Sequence, residues 1–188
     1  MARTSIPPSV AKAIAQLASA DRAAQGDSYR QLQEAVNGGI GWADEAWPQV
    51  VPLLGHKDNR VRSIAGQTLC ELAPRASAAL VKRDLDKLVK ATHDERFVTA
   101  RHILLALWSI GQADAQLRKL LLAKLSVRSA ACATEKNGTL MRHDIHCALR
   151  RLFDATADPA VKVAAEALLP HEPDEKYRKK NASVWKGA

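Results

Sequence analysis

The densest set of chemically capable side chains lies between positions 139 and 155. His143, His146 and Arg150 recur at i, i+3 and i+7, with Arg142 and Arg151 beside them. On a helix that spacing lines up one stripe, and imidazole and guanidinium groups there seek phosphate or carboxylate. These residues are the candidate anion-binding set: Arg142, His143, His146 and Arg150. His143-x-x-His146 could also supply half of a metal site, but no second ligand pair stands elsewhere, so no metal and no cofactor is expected. Nucleophile and nucleotide motifs are absent: there is no GxSxG, Walker A, GxGxxG or HExxH. No catalytic constellation can be read from spacing, and the expectation is a protein that is not an enzyme.

Two acid–base pairs come next. Asp58 and Arg62, and Asp158 and Lys162, are each spaced i, i+4 with the acid leading. That order suits both the helix dipole and an ion pair, so caps and pairing between neighbouring repeats are expected. Arg101 is the odd cation: its angle puts it among apolar residues, where it must pair with a carboxylate such as Asp94 or stack on Trp108.

All of these residues sit in segments that read at helical period. Val61, Ile64, Ala65, Thr68, Leu69 and Leu72 paint one face of a helix from 59 to 73, capped by Asp58 and ended by Pro74. A second helix runs from 94 to 110, capped by Asp94 and stopped by Gly111. A third runs from 158 to 169, with Pro159 in its first turn. Partner helices fill 42–54, kinked by Pro48 and Pro52, then 76–92 and 139–155, the last after an Asn137-Gly138 turn. A less regular pair is expected over 114–136. An opening pair, 8–19 and 21–36, is closed by Asn37-Gly38-Gly39. No stretch alternates as a strand would.

One internal comparison carries the fold. Asp58-x-x-Val61-Arg62-x-x-Ala65-x-x-x-Leu69 matches Asp158-x-x-Val161-Lys162-x-x-Ala165-x-x-x-Leu169 at every marked position. Asp94, Phe97 and Leu105 give a weaker third copy. The three aspartates are 36 and then 64 residues apart, a period of stacked helical hairpins. These residues, with the Pro-bearing first helix at 48 and 52, resemble the HEAT repeat family. The resemblance implies an all-α, right-handed α-α superhelix of about five antiparallel helix pairs, with the second helices lining a concave face. It also implies an interaction or scaffold role, binding a protein or peptide. The candidate partner-binding residues on that face are Arg62, Ser63, Gln67, Thr99, His102, Ser109 and Lys162.

The domain reading is a helical repeat over residues 1–170 and a mobile basic tail over 171–188, in which Tyr177 and Trp185 could anchor a partner. The chain carries a formal charge of +8, weighted toward its middle and C-terminal parts. That field keeps nucleic acid open as an alternative partner, through the basic residues of 56–170. No apolar run is long enough to span a membrane. Met1–Pro8 lacks the apolar core of a secretion signal, and the three cysteines form no CxxC, so a cytoplasmic location is expected.

Overall fold

The computed structural model describes residues 5–37 and 41–188, and those residues form helices and turns without a strand. The Gly38-Gly39 turn and the first four residues of the N-terminal stretch lie outside them. The chain divides into two compact units, Met1–Ile103 and Leu104–Ala188.

The first unit holds α1 (Pro8–Gln16), α2 (Arg22–Asn37), α3 (Ala43–Val50), α4 (Asn59–Leu72), α5 (Ala78–Ala91) and the start of α6 (Phe97–Ala106). Pro48 lies inside α3, and the chain tightens into a 3-10 turn at Val51–Gly55 where Pro52 follows, as the two prolines predict. Trp47, Val61, Leu69, Leu72 and Leu85 are wholly buried. One polar group joins that core: Asp84 of α5 accepts from the Trp47 indole at 3.0 Å and pairs with Arg83 and Lys87. Burial pushes its carboxyl up, but those donors outweigh burial and bring it down to about 2.

Helices α2, α4 and α6 run parallel, because their cross-contacts advance together along the chain. Arg22 meets Asp58 and Gln33 meets Glu71, while Asn59 meets Thr99 and Ser63 meets His102. Gly66 is what lets α4 and α6 close: a Cβ there would lie 2.5 Å from Ile103 Cγ1.

The second unit holds the end of α6, α7 (Trp108–Ala113), α8 (Ala115–Ala131), α9 (Gly138–Thr156), α10 (Pro159–Leu168) and α11 (Glu175–Ser183). The helix expected over 94–110 is broken. The Leu107 and Ile110 amides bond three residues back, to the Leu104 and Leu107 carbonyls, which tightens the turn between α6 and α7. Gly111 is a packing position inside α7, not a stop, since a Cβ there would meet Leu152 Cδ2 at 2.8 Å. The pair expected over 114–136 is the single helix α8, which buries Leu117, Leu121 and Leu125 on one face with no breaker between. α9 packs against each of the other helices labelled in this unit from α7 onward.

The aspartates behave as caps. Asp21, Asp58, Asp94, Asp114, Asp158 and Asp174 each accept from an amide in the first turn that follows. For Asp58 and Asp158 the ion-pair partner comes from another helix, not from the cation four residues on. Asp58 takes Arg22 from α2, Asp94 takes Arg62 from α4, and Asp158 takes Arg118 from α8. In each case a cap is bridged to the helix two before the one it caps. The Arg62–Asp94 bridge is the most enclosed, at 2.6 Å with both side chains largely buried. Burial pushes the Asp94 carboxyl up, but Arg62 and the Arg96 amide hold it below the ordinary range.

Candidate functional site

The predicted partner-binding residues fall into two groups. Arg62, Ser63, Gln67, Thr99 and His102 come together in the first unit. Ser109 and Lys162 belong to the second. There Ser109 donates to the Ala106 carbonyl, and Lys162 donates to the Ala188 carbonyl at 2.9 Å.

In the first unit, α4 presents Asn59, Ser63 and Gln67 at i, i+4 and i+8, and α6 presents Thr99 and His102 alongside. Thr99 is buried: its hydroxyl donates to the Asn59 carbonyl at 3.2 Å and accepts from Asn59 Nδ2. Ser63 Oγ lies 3.1 Å from His102 Nδ1, and Gln67 Nε2 donates to the Ser63 carbonyl and hydroxyl. These bonds hold the side chains in place but leave Asn59 Oδ1, Gln67 Oε1 and His102 Nε2 without a partner among the described residues. Asn59 and His102 are exposed and Gln67 is half-buried. Arg62 adds no cation for a ligand. Its guanidinium is consumed by Asp94 and by the His56 and Lys57 carbonyls.

The face extends onto α2 through residues that spacing did not single out. Glu71 Oε1 accepts from the Tyr29 hydroxyl at 3.2 Å and from Gln33 Nε2 at 3.0 Å. Its second oxygen is buried without a hydrogen bond. Burial raises the Glu71 carboxyl, against the pull of its two donors, and burial together with Glu71 raises the Tyr29 phenol. Tyr29, Gln33 and Glu71 lie outside the aligned Asp–Val–Ala–Leu pattern, and only the parallel run of α2 and α4 brings them together.

The anion-binding set is differently placed. Arg142 is buried and donates to the His171 carbonyl, 3.5 Å from the buried Glu172 carboxylate. His143 pairs with Asn181, His146 accepts from the Trp185 indole, and Arg150 donates to Asp154 and to the Val184 and Lys186 carbonyls. The stripe is real as geometry, but the C-terminal segment covers it. That segment, expected as a basic tail, forms α11, buries Asn181 and Trp185, and sets the Trp185 ring edge-on to Phe153 at 6.0 Å. Arg101 is half-buried and stacks over Phe97, 5.4 Å from its ring centre.

Among the described residues, no group of three His, Cys, Asp or Glu is placed to hold a metal ion, and no helix is long and apolar enough to cross a membrane. No protein-family model matches the chain, and no curated protein matches it in sequence.

Proposed function

We propose that the chain is a HEAT-type repeat protein that binds an extended protein or peptide segment along the α2–α4–α6 face of its first unit. The observation that carries this reading is the pair of carboxamides Asn59 and Gln67 on α4, anchored through Thr99 and the buried Ser63, with both carboxamide oxygens unspent. Residues eight apart on a helix rise about 12 Å. Four residues of an extended chain span about 13 Å. Two amide side chains at that separation can each pair with a peptide group of one extended segment, because each offers both a donor and an acceptor. His102 on one flank and Tyr29 on the other suit a polar, uncharged backbone better than a phosphate chain. The repeat reading is supported by the recurring cap-to-preceding-helix bridges, at 22/58 and 62/94 in the first unit and 118/158 in the second.

The nucleic-acid reading relied on the cations of 56–170. Four of those, Arg62, Arg118, Arg128 and Arg142, are mostly buried in internal ion pairs.

A displayed library of random linear peptides, panned on the full chain, tests the proposal. Alongside it, fluorescent single-stranded RNA and duplex DNA are titrated. The expected result is enrichment of peptides whose affinity falls about tenfold in Asn59→Ala/Gln67→Ala, for two hydrogen bonds worth about 0.5–1.5 kcal/mol each. Peptide binding indifferent to that double change, or binding of the oligonucleotides alone with strong salt dependence, overturns it.

A further inference from the structure

Spacing predicts no nucleophile, yet α9 and α11 of the second unit bring one together with a base and an orienting group. Cys147 Sγ lies 3.7 Å from His143 Nε2, one helical turn back on α9. The other ring nitrogen of His143, Nδ1, lies 2.9 Å from Asn181 Oδ1 on α11. With Nδ1–H donating to the amide oxygen, Nε2 carries its lone pair toward the sulfur. That is the order thiol, imidazole, amide which turns a cysteine into a nucleophile.

Three further observations support the assignment. Asn181 is wholly buried and its Nδ2 has no hydrogen-bond partner. An amide there costs stability through that orphan group, so what it supplies is the Oδ1 contact to His143. Arg151 is exposed one turn beyond Cys147, at i+4, a spacing at which a cation can favour a neighbouring anion. Cys147 is half-buried, whereas Cys70 and Cys132 are buried. Burial raises the thiols of those two, which leaves them inert.

We propose that Cys147 is a thiol-exchange site, modified reversibly by low-molecular-weight disulfides. His143 Nε2 takes the thiol proton, and the Cys147 thiolate attacks one sulfur of the disulfide. A new bond from Cys147 Sγ forms as the old S–S bond breaks. The departing thiolate takes the proton from the His143 imidazolium, so a mixed disulfide replaces one thiol and one new thiol is released. Acyl transfer is not part of the assignment, because Cys147 lies in mid-helix, where the neighbouring amides are held by the helix itself and none is left to receive an oxyanion.

The test uses the full chain, undenatured, with a neutral reagent, dithiodipyridine, followed by thiopyridone release from about pH 5 to pH 9. One thiol is expected to react, and none in Cys147→Ser. A His-paired thiol near pH 6 holds a thiolate fraction that outweighs its lower intrinsic nucleophilicity, so its rate should exceed that of an ordinary cysteine peptide by about fivefold. His143→Gln should return the pH profile to that of the peptide, and Asn181→Leu, which removes the acceptor facing Nδ1, should move it the same way. The wild-type profile decides the matter even where a variant fails to fold. A profile matching the peptide, or no reaction before denaturation, overturns the assignment.

Discussion

Acid should loosen the second unit in a window set by one buried imidazole. His146 is 1% exposed and its Nδ1 accepts from the Trp185 indole at 3.3 Å. Burial, then the neighbouring His143 and His171, push it from 6.5 down to about 4. In the unfolded chain it titrates near its ordinary value, so between those two points the unfolded state binds more protons than the folded one. Stability is therefore complete above about pH 6.5, falls as the pH drops, and levels off near pH 4. A displacement of roughly two and a half pH units, at about 1.36 kcal/mol each, amounts to about 3 kcal/mol. Glu71 works in the opposite sense, since its carboxyl is raised, but it belongs to the first unit. Urea titrations from about pH 4 to pH 7, read by Trp185 fluorescence in a chain whose other tryptophans are replaced by phenylalanine, measure the slope. His146→Leu lowers stability at every pH, because the Trp185 N–H loses its acceptor, but should abolish most of the slope. Equal slopes in the two proteins would show that His146 is not buried as a neutral acceptor.

Two further perturbations probe the frame that positions the candidate face and the thiol. Asp84→Asn keeps an acceptor for Trp47 but removes the charge held by Arg83 and Lys87. The wild type should lose about 2 kcal/mol as the pH falls from about 4 through about 2, and the variant should lose none of it, as acid titrations followed by circular dichroism would show. Gly138→Ala would place a Cβ 1.9 Å from the Cys132 carbonyl oxygen. Backbone has to move there, so the second unit should lose about 3 kcal/mol or more in urea melts, while a Gly55→Ala control, with nothing within 4 Å, changes little.

How far each feature could be read from sequence depends on how local it is. The helix starts were legible because an aspartate and the amides it caps lie within three residues of each other, as at Asp58 and Asp158. The partners of those aspartates were not. Arg22, Arg62 and Arg118 reach them across 32 to 40 residues, and no local spacing encodes that. Periodicity assigned His143, His146 and Arg150 to one stripe correctly, but a stripe does not say what lies over it. α11 is strongly polar and is docked by few buried side chains, Asn181 and Trp185 chief among them, so its sequence resembles a tail. The thiol cluster shows the same limit. Cys147 and His143 are an ordinary i, i+4 pair until Asn181, 38 residues on from His143, closes the set.

The most direct measurement is a side-chain amide NMR titration with a peptide recovered by panning. If the α4 row is the binding face, the Asn59 and Gln67 carboxamide signals shift first and give intermolecular contacts to the peptide backbone, with the His102 ring moving alongside. Shifts confined to the second unit, or none at these residues while the peptide binds, would contradict it.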